Sequence, residues 1–396
     1  MEVFHRTQLA ADLAKKILHV APGSAAGSGL FLAAPRRTGK STFLREDLRP
    51  ELESAGALVV YVDLWKDKKA DPGVVIVNAV RSELAKHESA LKRLARNTGL
   101  EKVSVAGVGF NLQQVGLGDG VSLSDALAAL SDEEKRPIAL IIDEAQHAIT
   151  SEMGSDALFA LKAARDELNS SAHHGLRLVA TGSNRDKLSM LRSSRDQAFF
   201  GAPLISFPPL GRDYVEWFCA GAGLAAPLDV DDTFTLFKEA ANRPEILGAA
   251  ADELRFDFEL RPEEVRERFR AAVRKQIEES SQELLRVVHS LTPAQATVLR
   301  VLAGRGRGYA PFEAATLTAY GDVLKGLTGD PAAMLDVAQV QTALLALQEK
   351  ALVWRAARGV YALEESSLAD VMASHGMLDG VPGTQQRVER ERERPA

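Results

Sequence analysis

The chain has 396 residues, 46% of them apolar and 26% charged, with a formal net charge of −6 and a single cysteine. That length predicts two or three domains, and the composition is that of a globular protein with enough apolar side chains for large cores. The charge argues against a globally basic nucleic-acid binder while leaving room for a local basic patch, and Cys219, in an apolar helical context, offers neither an intramolecular disulfide nor a zinc spacing.

The N-terminus, MEVFHRTQLAADLAKKIL, mixes charges with helical-period apolar residues. No run of about 18 apolar residues follows, so the expectation is a cytoplasmic protein, neither exported nor membrane-spanning. Over roughly the first two hundred residues, short β-rich runs alternate with helical patterns, which predicts a parallel sheet with crossover helices. The predicted strands are GLFLAAP, ALVVYVDLW, IALIIDE, LRLVATGS and PLISFPPL, and their near-continuous apolar character suits strands buried on both faces. Between the second and third, Val103 to Gly120 alternates and is rich in glycine, which predicts an inserted hairpin.

From about Gly211 the pattern turns helical: RDYVEWFCAGAGL, DDTFTLFKEAA, RPEILGAAADEL and a long charged stretch read as a small lid and a connecting helix. Near Leu291 a further unit begins. Thr292 caps a helix with Pro293 at its first position, an Asp-capped helix covers DVAQVQTALLALQEKAL, and LVWRAARGVYALEE reads as two strands about an ARG turn. Helices followed by a hairpin make a winged helix. The tail ends in RVERERERPA, a solvated, flexible run of alternating charge. The predicted organisation is a base domain over 1–212, a lid and connecting helix over 213–283, a winged-helix domain over 284–375 and a tail over 376–396.

AAPRRTGKSTFL, Ala33 to Leu44, follows a strand and precedes a helical pattern, the context of a phosphate-binding P-loop, GxxxxGK[ST]. Ala34 stands where the pattern has Gly; Pro35 restricts it to extended geometry, which a methyl group tolerates while φ stays negative. Pro35, Arg36, Arg37, Thr38, Gly39, Lys40, Ser41 and Thr42 would then wrap the phosphates of ATP. Backbone N–H groups and the helix N-terminus point at the anion, Gly39 permits close approach, Lys40 pairs with the β- and γ-phosphates, and Ser41 offers its hydroxyl to Mg²⁺. The plain alternative is a chance match in a core turn.

The carboxylate that Mg²⁺ needs stands at the end of IALIIDEAQH. Asp143 would hold the ion through water and Glu144 would act as general base on the attacking water. No guanine-reading NKxD occurs, and an acid pair at a strand tip is the arrangement of the additional-strand ATPases. An N-cap or solvated loop carboxylate is the plainer role for Glu144, and a structural or partner-sensing role the plainer one for His147. The next strand ends in Thr181, Ser183 and Asn184 beside the tip carrying Asp143, with Ser183 the candidate γ-phosphate sensor and Asn184 the reserve; ordinary helix-capping turn residues are the alternative. Arg185, Arg192 and Arg195 follow on a segment near the same edge, where Arg195 is the candidate finger toward a neighbouring subunit and surface arginines are the bland reading. Arg243, opening a lid helix in ANRPEIL, is placed as a sensor because a helix starting there can lean over the nucleotide.

APRRTGKSTFL, LIIDEAQ, ATGSN, SRDQAFFGAPLISFPPL and ANRPEIL, in this order, resemble the archaeal-type ATPases, relatives of the origin-recognition ATPases in the broad AAA+/STAND assemblage. The family carries PRRxGKT[ST]L, a DExQ strand end, a GSS-type turn, an SPLYGR-like segment and a GGxPxYL lid motif, whose two glycines are Ala241 and Asn242 here. The resemblance implies an α/β P-loop NTPase of the AAA+/ASCE type with a five-stranded parallel sheet, helical lid and C-terminal winged helix. VFHRTQLAADLAKKI is similar to the family's FxxRexEL opening, which packs near the adenine and implies a base-binding role for Arg6 or the backbone before it. KALVWRAARGVYAL looks like the wing.

A winged helix puts its third helix in the major groove and its wing on the backbone. The third helix here is expected to bury Val337, Val340, Leu344 and Leu347 and to turn Gln339, Gln341, Thr342 and Gln348 partly outward, with no Arg or Lys in its body. Lys350, Arg355 and Arg358 on the wing side and Arg305 and Arg307 after the first helix could make roughly five salt-sensitive phosphate contacts. Two readings stand open: a Mg²⁺-dependent ATPase that switches or remodels a DNA complex, or a STAND-like signalling or defence switch whose winged helix contacts protein. Either accommodates a homo-oligomer or a protein partner, and neither calls for a membrane.

Overall fold

The computed structural model describes residues 2–67, 69–87, 89–90, 122–170, 173–193, 195–357, 359–365 and 367–381, with backbone alone at 307, 356 and 357. The hairpin expected over 103–120, Arg358, the side chain of Arg307 and the tail beyond 381 lie outside the described residues. The chain divides into two units, Met1–Pro208 and Pro209–Ala396.

The first unit is built on five parallel strands, β1 (Leu30–Ala33), β2 (Leu58–Asp63), β3 (Ile138–Asp143), β4 (Leu176–Gly182) and β5 (Leu204–Ser206), ordered β2-β3-β4-β1-β5. They are the five runs read from the sequence. Ahead of them runs α1 (Thr7–Leu18), and between them run α2 (Lys40–Phe43), α3 (Arg49–Ser54), α4 (Pro72–Leu84), α5 (Leu123–Glu134), α6 (Glu152–Leu168) and α7 (Arg185–Ser189). Strand side chains alternate between two cores. Leu58, Val60 and Val62 join Ile76, Leu127 and Leu161 of α4, α5 and α6, whereas Val59, Ile141 and Val179 join Leu13, Phe43 and Leu48 on the opposite face. Every residue of β3 is buried, so its sequence is apolar without a break until Asp143. Asp63 pairs with Asp143, Ile142 with Ala180 and Ala33 with Gly182, so the carboxyl ends of β1 to β4 form one rim.

The helix after the P-loop is interrupted. Leu44–Leu48 forms one π turn between α2 and α3. Pro50 has no N–H to return to the carbonyl of Glu46, and just ahead of it the Arg49 N–H closes the wider turn on the Leu44 carbonyl. Asp47, buried in this turn, accepts bonds from His5 Nδ1 at 2.7 Å and the Arg6 backbone N–H at 3.1 Å, which fixes the chain ahead of α1.

The second unit contains α8 (Arg212–Gly221), α9 (Val230–Glu239), α10 (Pro244–Arg255), α11 (Val265–His289), α12 (Pro293–Arg305), α13 (Ala314–Thr328), α14 (Val337–Glu349), the antiparallel hairpin β6 (Val353–Ala357) and β7 (Val360–Leu363), and α15 (Ser367–Ser374). Both predicted caps form: Thr292 Oγ1 accepts from Gln295 N, and Asp336 Oδ1 from Gln339 N, each closed by a reciprocal glutamine bond. The boundary placed at 283/284 falls inside α11, one continuous helix of 25 residues. Leu378 and Val381 are buried against the core of α12 to α14, so the first residues assigned to the tail are packed. Val337, expected in that core, is 44% exposed; the helix turns Val340, Ala343, Leu344 and Leu347 inward. Among the described residues no helix is long and apolar enough to cross a membrane.

Candidate nucleotide site at the sheet rim

The loop between β1 and α2 takes the shape that phosphate binding needs. Gly39 has φ 80 and ψ 6, a left-handed conformation that costs glycine nothing, and it aims the first N–H groups of α2 out of the rim. Arg37 is left-handed as well, at φ 62, which costs a side-chain-bearing residue about 1–2 kcal/mol. Ala34 is absent from the positive-φ residues; its N–H donates to Gly182 O at 3.1 Å, so its methyl group is accommodated as the end of a strand. Thr38 Oγ1 closes the loop by donating to Pro35 O at 2.8 Å. Pro35 to Thr42 line a cavity of about 400 Å³ together with Arg45, Asp63, Trp65, Asp143, Glu144 and Ser183. The Arg36 guanidinium lies 5.0 Å from the centroid of the Trp65 ring, and His147 packs on that ring at 4.4 Å, the structural role open to it from the sequence.

At the floor of the cavity Lys40 Nζ reaches across three strands. It donates to Asp143 Oδ1, to Glu144 Oε1 at 3.1 Å and to Thr181 Oγ1 at 3.1 Å. Asp143, 1% exposed, also accepts from Ser41 Oγ at 2.6 Å, Thr181 Oγ1 at 2.5 Å, Tyr61 OH at 3.1 Å and the Glu144 N–H at 3.0 Å. Burial alone would raise its pKa, but the Lys40 ammonium and the hydroxyl bonds outweigh burial and bring it down to about 2. Glu144 sits in the left-handed region at φ 55, strain of the sort that concentrates at working sites. Its Oε2 accepts from Gln146 Nε2 at 2.6 Å and Ser183 Oγ at 2.8 Å. Burial pushes its carboxyl up, and Lys40, Ser183 and Gln146 together carry it below the usual range.

Lys40, Ser41, Asp143, Glu144 and Ser183 are thus brought together. Asn184 instead caps α7, its Oδ1 accepting from the N–H groups of Asp186 and Lys187, the capping role weighed for it. Arg6 does not line the cavity; its guanidinium lies 4.9 Å from the Phe207 ring and donates to Pro208 O at 2.8 Å. Arg195 is exposed, and Arg185 is bonded to Ser206 Oγ and Leu204 O along β5. Arg243 lies in the second unit, where it donates to Ser280 Oγ at 3.2 Å and faces Glu245. Ala241 and Asn242 both have φ 55, so the positions that are glycine in the resembled motif keep a glycine-like backbone with side chains present.

Tyr61, and Thr181 as a partner of Asp143, were not singled out from sequence, and Gln146 entered only as the last residue of the DExQ strand end. The one hint was a phenol and a carboxylate two apart in LVVYVD, on the same face of a strand otherwise made of Leu and Val.

The donor set fits a Mg²⁺–nucleotide. One hydroxyl and one carboxylate meet at the foot of a phosphate-sized cradle, and such a metal takes its other ligands from water and phosphate. Among the described residues, no group of three or more His, Cys, Asp or Glu side chains forms a protein cage for a metal.

Comparison with known proteins agrees with this geometry. Residues 25–188 match the family model described as an AAA domain. No curated protein matches the chain. Among solved structures, the ADP form of the ORC2 protein of Aeropyrum pernix superposes with a TM-score of 0.54 at 17% identity, covering 98% of this chain and 95% of that one. The Walker-type ATPase PABY2304 of Pyrococcus abyssi superposes with a TM-score of 0.51 at 14% identity, covering 94% and 96%. At these identities the likeness is one of fold. The match over residues 25–188 and these superpositions together give the chain a P-loop α/β fold of the AAA type.

Proposed function

We propose that this protein binds ATP with Mg²⁺, hydrolyses it, and uses the occupancy of the site as a switch acting on DNA or a DNA-bound complex. The observation that carries the reading is the convergence of Lys40, Ser41, Asp143, Glu144 and Ser183 on one phosphate-sized cavity. Lys40, held between two carboxylates, is the cation that turns to the β- and γ-phosphates. Its departure leaves Glu144 held by Ser183 and Gln146 alone, free of its neutralising charge and able to take a proton from water. Bound Mg²⁺, held by Ser41 Oγ and through water by Asp143, would neutralise charge developing on the phosphates. Ser183, already bonded to the base, is placed to report a γ-phosphate to it. Arg195, exposed on the segment after α7, is the residue we assign to a neighbouring subunit's site; turnover per subunit that rises with protein concentration, and does not rise in Arg195→Ala, tests that assignment.

Helices α12 to α14 followed by the β6–β7 hairpin support a winged-helix reading of the C-terminal part. Gln339, Gln341 and Thr342 are exposed on α14, and Lys350 and Arg355 stand exposed beside it. Arg305, by contrast, is bonded to Thr316 Oγ1 and Ala315 O within its own unit. The second reading, a signalling switch that contacts protein, is favoured by Met334, Leu345 and Val337, apolar and 74%, 56% and 44% exposed on and before the same helix. Duplex DNA binding across a salt series, with and without ATP, separates the two. Salt-sensitive binding weakened by Lys350→Ala and Arg355→Ala supports the DNA reading; no affinity at low salt in either nucleotide state abandons it.

A further inference from the structure

The carboxylate of Asp143 receives a donor that the P-loop does not account for. Tyr61 comes from β2, the edge strand beside β3, and its hydroxyl donates to Asp143 Oδ2 at 3.1 Å, the same oxygen that Ser41 Oγ reaches at 2.6 Å. Arg45, from the π turn Leu44–Leu48, stands beside the same ring. Its guanidinium lies 5.8 Å from the Tyr61 ring centroid and 3.9 Å from Asp63 Oδ2. The other side chains of β2 before Asp63 are Leu and Val, so packing alone would be served there by an apolar residue; the hydroxyl is what distinguishes this position.

We propose that Tyr61 is a positioning residue for Oδ2 of Asp143, the oxygen that it shares with Ser41. The proposal rests on the ATP and Mg²⁺ reading above. The phenol has one proton to donate, and Asp143 Oδ2 is its acceptor. Thr181 and the Glu144 N–H hold Oδ1, Tyr61 and Ser41 hold Oδ2, and the plane of the carboxylate is fixed before an ion arrives. Groups that orient a metal-binding carboxylate typically change metal affinity by about 10- to 100-fold when removed.

The test is binding of a fluorescent ATP analogue to the full chain, first in EDTA and then with Mg²⁺ added stepwise. Tyr61→Phe should leave affinity in EDTA unchanged and raise the Mg²⁺ concentration for half-maximal gain by about 10-fold. Tyr61→Leu, which also lacks the hydroxyl, should shift the midpoint in the same direction and carries the test should Tyr61→Phe fail to fold. A wild-type Mg²⁺ midpoint in Tyr61→Phe overturns the proposal, as does a loss of affinity in EDTA, which would place the defect in the phosphate cradle rather than at the carboxylate. A wild-type chain that binds no nucleotide under either condition overturns the ATP reading itself, an outcome distinct from both.

Discussion

Lys40→Met removes the ammonium that contacts the Asp143 carboxylate, which is 1% exposed. In the native chain the Asp143 pKa lies at about 2 against an ordinary 3.8, which at 1.36 kcal/mol per unit corresponds to about 2 kcal/mol of stability. Because the native value is depressed, that contribution is present above pH 4 and is lost as pH falls toward 2. Without Lys40, burial dominates and the carboxyl rises above its ordinary value, so the sign reverses. Leaving one partner of a buried pair uncompensated costs about 3–5 kcal/mol at neutral pH, and protonation relieves it on acidification. Denaturant unfolding of the nucleotide-free chain should therefore find Lys40→Met destabilised by several kcal/mol at pH 7, with the gap to wild type narrowing toward pH 4. Asp143→Asn added to Lys40→Met should recover part of the loss, giving a coupling energy of about 2 kcal/mol or more. Wild-type stability of Lys40→Met at pH 7, or a gap that does not change with pH, would refute the reasoning.

Other outcomes follow from single contacts. Thr181→Val keeps the shape of a fully buried side chain but removes its bonds to Asp143 and Lys40, and should cost about 1–3 kcal/mol by chemical denaturation. Gly182→Ala would put a Cβ 2.3 Å from Gln146 Oε1, and because the Gln146 amide is fixed to Glu144, about 1–3 kcal/mol of stability should go, with ATP turnover falling alongside. Ala241→Gly relieves a left-handed alanine and should raise stability by about 0.5–1 kcal/mol in the same assay; a loss would show that the backbone there is not strained.

Much of the site could be read from sequence because its groups sit at strand ends. Lys40 and Ser41 follow β1, Asp143 and Glu144 close β3, and Ser183 follows β4, so each is announced by an apolar run that stops. Tyr61 and Thr181 lie inside runs, and their roles depend on β2 and β4 flanking β3, an order that no local pattern states. The π turn Leu44–Leu48 adds a residue to the helix just before Pro50, a change of backbone that the apolar pattern does not announce. Helix α13 starts after Glu313, whose side chain makes no cap, unlike those ahead of α12 and α14, and so gave no start signal. Ala34 looked like a defect in the loop and proved compatible with it, whereas Arg37, with its left-handed backbone, is the residue under strain.

The central claim is one ATP site in which Lys40 holds phosphate and Glu144 performs the chemistry. Measured on the full chain with Mg²⁺, ATP affinity and single-turnover hydrolysis of Glu144→Gln test it most directly. ATP should bind Glu144→Gln about as tightly as wild type while hydrolysis falls by about 100-fold or more. Hydrolysis by Glu144→Gln at the wild-type rate, or a wild-type chain that binds no ATP, would contradict the account.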